Sequence, residues 1–149
     1  MTLMSLPERL VMNTELEQLL MERFPWFEAR NVWTGEKLGI AYPCECGNGW
    51  GQLIYNCMEE IELLYQNKNA DISELHIYQI KEKYARLMIY LGNYIDGVMD
   101  ILSKYEDLSA NTCEVCGASG EVCMKNFWIK SLCKKHRDEF GFSCLESKM

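Results

Sequence analysis

The sequence predicts an α+β fold: about three helices and a small β-hairpin, followed by a zinc-ribbon or knuckle module. Three observations carry this. Apolar residues recur at helical spacing over residues 50–65. Residues 75–91 are dense in β-branched and aromatic side chains that alternate along the chain. Near the C-terminal end, Cys113-Glu-Val-Cys116 is answered, after sixteen intervening residues, by Cys133-Lys-Lys-His136.

Taken in order, Thr14-Glu-Leu-Glu17 has the pattern of a capping box, in which a threonine and a glutamate satisfy each other's backbone donors. Leu16, Leu19, Leu20 and Phe24 follow on one face, and Pro25 closes the element, so a short helix is expected over residues 15–24. Trp26, Phe27 and Trp33 lie in a loop-like stretch with a Thr34-Gly35 turn signal. Rings this dense either plug the core or form a binding patch, and the plug is favoured because large rings are mostly buried. Asn48 or Gly49 is placed to cap the next helix. That helix carries Trp50, Leu53, Ile54, Cys57, Met58, Ile61, Leu64 and Tyr65 inward and Glu59, Glu60 and Glu62 outward. Residues 75–91 fit one helix face through Ile77, Ile80, Tyr84, Leu87, Met88 and Leu91. They fit a hairpin turning near residues 81–84 through their alternation. A last helix is expected over residues 93–108, with Ile95, Val98, Leu102 and Tyr105 inward.

Length and composition bound the rest. At 149 residues the chain suits one domain or one domain plus an appendage. Residues 1–110 are expected to form an acidic α+β body, and 111–149 a metal-binding module packed on it. The body holds nine basic against 17 acidic residues, whereas the remainder holds six against five. An acidic body repels nucleic acid and suits a basic protein surface. No apolar run approaches the roughly 20 residues of a membrane span, so no membrane partner is expected. The first ten residues lack a basic start followed by an apolar stretch, so no signal peptide is expected. Eight cysteines without such a signal, together with two ligand pairs at metal spacing, fit reduced thiols in a cytoplasm.

The metal ligands expected are Cys113, Cys116, Cys133 and His136. A Cys-x-x-Cys turn puts two thiolates on one knuckle, and Gly117 supplies the backbone freedom the turn needs. A second pair closes a tetrahedron around one structural Zn2+, with no position left for a substrate. Cys123 and Cys144 fall outside this pattern. Cys44, Cys46 and Cys57 allow a second metal or a reactive thiol pair with His76 as spare imidazole. Buried thiols explain them more simply. Asp96 with Asp100, and Glu59 with Glu62, form carboxylate pairs better read as solvated helix faces than as acid–base machinery. Lys125, Lys130, Lys134, Lys135 and Arg137, with Phe127 and Trp128 among them, are the elements of a nucleic-acid grip. Trp128 and Leu132 are rather expected behind the metal, since so small a module has little else for a core.

Glu45-Cys-Gly-Asn-Gly-Trp50, Ile80-Lys-Glu-Lys-Tyr84 with residues 87–90, and Thr112-Cys-Glu-Val-Cys-Gly117 occur in this order. Through them the chain resembles a family of small bacteriophage and prophage proteins. That family has a Cys-Gly-Asp-Gly-Trp element, a Lys-Glu-Lys-Phe-Gly segment and a C-terminal knuckle. The resemblance spans roughly residues 20–137 and implies no activity. It favours the hairpin for residues 75–91, because the family has glycine where Ala85 stands here. Asn48 replaces the family's aspartate, which argues against catalysis in that loop. The function expected is that of a phage-encoded accessory protein in the host cytoplasm. It would bind a host protein, with inhibition of a host defence or regulatory complex as one such role. The alternative is a nucleic-acid-binding regulator using the basic module.

Overall fold

In this computed structural model the described residues fold into four α-helices and three small antiparallel sheets. The structure describes residues 10–144. The expectation about a signal peptide falls almost wholly outside them, as does the end of the C-terminal module.

Helix α1, Thr14–Arg23, is capped by Asn13, whose side chain accepts from the Leu16 amide at 2.8 Å. The capping box does not form. Asparagine is as good a cap as any residue, and Glu17 turns inward, where its buried carboxylate accepts the Cys44 amide. Leu20 and Phe24 are buried as expected, whereas Leu19 faces solvent. Pro25 opens a 3-10 turn, and Trp26 and Phe27 plug the core. The stretch expected as loop then forms a hairpin of β1, Glu28–Arg30, and β2, Lys37–Ala41. Its turn is built by the Asn31 side chain, which accepts the amides of Trp33 and Thr34, and by Gly35 at φ +75°. Trp33 sits on this turn at 91% exposure, so it is no part of the plug. The turn holds its ring away from the core.

Helix α2, Gly51–Asn67, is the central element. Ile54, Cys57, Met58, Ile61 and Tyr65 are buried along one stripe, each contributing about 2 kcal/mol of apolar burial. Neither Asn48 nor Gly49 caps it. Both belong to a preceding 3-10 turn, and the Asn48 side chain accepts the Asn13 amide instead, joining the starts of the first two helices.

Residues 75–91 form the hairpin and not the helix: β3, His76–Lys83, pairs with β4, Arg86–Gly92. Tyr84 and Ala85 turn it, both at positive φ (51° and 67°), the signature of the two-residue turn that matches strand twist. Ile80, Leu87, Ile89 and Leu91 face the core. Helix α3, Val98–Ser109, packs on α2 and β4. It begins five residues later than expected, because Gly97 takes φ +102° and breaks the helical path. Val98, Leu102 and Tyr105 point inward as the spacing required.

Beyond α3 comes a three-stranded sheet in the order β6-β5-β7, made of β5, Glu121–Lys125, β6, Trp128–Leu132, and β7, Ser143–Cys144. A fourth helix, α4, Lys134–Phe140, was not expected; seven residues carry too little periodicity to register. Buried side chains gather in two clusters. The larger centres on α2 and the β3–β4 hairpin, and the smaller holds Cys113, Cys123, Leu132, Cys133, Phe140 and Phe142.

Candidate metal centre

Two local structures bring Cys113, Cys116, Cys133 and His136 together. In the first, the chain folds back after Cys113: the Gly117 amide donates to the Cys113 carbonyl and the Cys113 amide to the Ala118 carbonyl. Gly117 takes φ +83° here, and a Cβ would also press on the Gly49 carbonyl. In the second, Cys133 is the N-cap of α4, its sulfur accepting the His136 amide at 3.5 Å. One turn later the imidazole faces the sulfurs, held by stacking on Phe140 at 5.9 Å.

The ligand atoms of all four residues lie within 4.8 Å of one another. Cys116 and Cys133 sulfurs are 3.7 Å apart, and His136 Nδ1 is 3.2 Å from the Cys133 sulfur and 3.6 Å from that of Cys113. A tetrahedral ion bound at about 2.3 Å to sulfur and about 2.0 Å to nitrogen sets sulfurs about 3.8 Å apart and sulfur–nitrogen pairs about 3.5 Å apart. The residues present therefore fit a metal ion, with Nδ1 as the ligating nitrogen. Burial pushes the Cys113 thiol up to about 11, although backbone amides pull the other way. At Cys133 burial is outweighed by the His136 amide and ring and the neighbouring thiols, which bring it down to about 7.

No family model, curated protein or solved structure matches this chain.

The three sequence elements that carried the resemblance meet next to this centre. Gly47 and Gly49 lie against the Cys113 knuckle so closely that a Cβ on either would fall 2.3 or 2.2 Å from a knuckle carbonyl oxygen. The Gly49 amide donates to the Glu114 carbonyl, and the Trp50 indole donates to the Thr112 carbonyl at 2.9 Å. Glu45 joins the β3 edge through the pair Glu45 N to Ile80 O and Glu82 N to Glu45 O. Lys130 reaches Glu82 at 3.2 Å and the fully buried Glu114 at 3.4 Å, while the other Glu114 oxygen accepts the Gly47 amide. The Ser131 hydroxyl donates to the Ala85 carbonyl in the hairpin turn. These glycines and Trp50 thus fasten the knuckle to the body.

The other candidates fall elsewhere. Cys44, Cys46 and Cys57 are fully buried in the larger core. Burial pushes the first two thiols far above their ordinary range, and Cys57 up to about 12, which disfavours the thiolate at all three. The turn that follows Cys46 is the 3-10 turn at Asn48–Trp50, ahead of the first turn of α2. His76 stacks on Tyr78 on β3. Glu59 and Glu62 hold Arg23, at 3.5 and 3.0 Å. In the basic set, Lys130 is buried, Lys125 donates to the Phe140 carbonyl, and Arg137 pairs with Glu121 and Asp138. Leu132 is buried in the smaller core, but Trp128 is 40% exposed at the far end of β6, where the strand outruns that core. The sequence reading missed Glu114 and Glu82; only their place inside the resembling elements marked them.

Proposed function

We propose that Cys113, Cys116, Cys133 and His136 hold one structural Zn2+ in a ribbon-like module. We propose further that the protein is a phage-encoded accessory protein that binds a host protein in the host cytoplasm, inhibition of a host defence or regulatory complex being one such role. Three thiolates and one imidazole at tetrahedral spacing suit zinc, and four protein ligands leave no open position for a reaction. The observation that carries the binding role is the β1–β2 hairpin. Val32, Trp33, Leu38 and Ile40 are each at least half exposed on an acidic body. Grouped apolar side chains that no neighbour covers mark interaction surfaces. No helix among the described residues is long and apolar enough to cross a membrane.

The test is affinity capture from bacterial host lysates with the wild type and an Ile40→Lys variant. A defined protein retained by the first and lost by the second is the expected result. Capture that is empty across several hosts, or indifferent to the variant, would sink the reading. A nucleic-acid regulator working through the C-terminal module draws less support, since Lys130 is spent on Glu82 and Glu114 and, among the module's described lysines, only Lys134 and Lys135 are exposed. A gel shift at low salt decides it.

A further inference from the structure

A cleft of about 310 Å³ opens between the β1–β2 hairpin and the start of β3, walled by Trp26, Glu28, Arg30, Trp33, His76 and Tyr78. The Trp26 indole N–H is buried and has no acceptor, which a native interior rarely tolerates without a ligand or an ordered water. Arg30, on the cleft wall, stands opposite Lys37 in the strand register, which puts a second cation next to it outside the wall. Like charges placed so repel each other. Neither makes an ion pair among the described residues; Arg30 donates only to the Ser73 carbonyl. Glu28 accepts the Gly39 amide with one carboxylate oxygen, at 2.8 Å, and its second oxygen meets no donor among the described residues. Trp33 sits at the rim almost wholly exposed, and His76 and Tyr78 present stacked rings.

We propose that this cleft binds a nucleobase carrying a 5′-phosphate, a reading independent of the metal centre. The parts match the ligand class. A base is a flat ring that stacks on an aromatic side chain. Its edge offers an acceptor beside a donor, the complement of an orphan indole N–H and an open carboxylate oxygen. Its phosphate meets Arg30 on the cleft wall, and arginine binds phosphate through paired N–H donors. A simple aromatic acid would supply the ring and the charge but no donor for Glu28.

The chain's four tryptophans give four indole N–H signals in a nitrogen-15 correlation spectrum, which Trp→Phe variants assign. Nucleoside monophosphates, the matching nucleosides, inorganic phosphate and a short single-stranded oligonucleotide are titrated separately into the full chain. The expected result is a shift of Trp26 and Trp33 with nucleotides, while Trp50, already bonded to Thr112, stays in place. Trp33→Ala should weaken binding about tenfold, the size of one lost base stack. Arg30→Gln should erase the preference for nucleotide over nucleoside. Both variants should keep the wild-type melting temperature, since neither side chain is buried in the core. A response to the oligonucleotide alone would assign the site to a strand and keep the base-and-phosphate chemistry. An unmoved Trp26 signal with every probe would mean that water satisfies the indole, and would overturn the proposal. So would equal shifts with phosphate alone.

Discussion

Cys116 and Cys123 are both thiols of the C-terminal segment, yet they stand in different surroundings. The Cys116 sulfur stands 3.7 Å from that of Cys133 in the ligand group. Cys123 is buried between the Glu121 and Leu132 carbonyls and lies opposite Cys144 in the strand register. Cys116→Ser is therefore expected to abolish stoichiometric zinc by elemental analysis and to unfold at least the C-terminal segment, because metal binding and folding are coupled in such modules. Cys123→Ser and Cys144→Ser should retain the metal; zinc loss in Cys123→Ser would refute the ligand assignment. The spacing within each pair is a local property of the chain, so the gathering of these four residues was legible in the sequence. Lys130 and Glu17 were not, since nothing near either one distinguishes it from a solvated charge. Burial raises the Glu17 carboxyl above its usual value, and the Cys44 amide offsets this only in part. The folded state then holds the proton more tightly than the unfolded chain, so stability is greatest below the unfolded value and falls as pH rises through the raised one. Glu17→Gln, which can still accept the Cys44 amide, should flatten that decline. Urea melts at several pH values between the mildly acidic and the neutral check it; parallel wild-type and variant profiles would reject it.

Among the elements, α2 was plain in the sequence because one stripe of eight apolar residues has only one solution. The β1–β2 hairpin was not, because β2 is exposed on both faces and its residues do not alternate. Residues 75–91 satisfied both periods at once, and the turn decided between them. Tyr84 and Ala85 both adopt the left-handed region, where a side chain costs about 1 kcal/mol. Ala85 is fully buried and donates its amide to Glu82, so its methyl group has packing to set against the strain. Tyr84 is 77% exposed and has little. Tyr84→Gly should therefore stabilise the fold, or at worst leave it neutral, by up to about 0.5 kcal/mol after the added freedom of the unfolded chain is counted. Chemical denaturation measures this directly. A clear loss of stability would show that the tyrosine ring makes a contact the turn depends on.

At the scale of the molecule, the two buried clusters are joined by polar groups as well as by packing. Glu114 of the knuckle, Glu82 of β3 and Lys130 of β6 form one charged group whose lysine and Glu114 are almost wholly shielded from water. Burial raises the Glu114 carboxyl, with Lys130 and the Gly47 amide pulling it back down. Removing the cation would leave two carboxylates facing each other with no counter-charge. Lys130→Met is thus expected to cost about 3–5 kcal/mol, the range for breaking one side of a buried pair. In a chain of this length that is a melting-point drop of about 10 °C. The same loss could come from poor packing of methionine, so the double variant Lys130→Met/Glu114→Gln separates the causes. Glutamine removes the stranded charge and can still accept the Gly47 amide through its carbonyl oxygen. If the charge is the cause, the double variant should recover a substantial part of the stability and retain its zinc. If it melts no higher than Lys130→Met, the lysine acts through its packing alone, and the charged group has no part in holding the knuckle to the body.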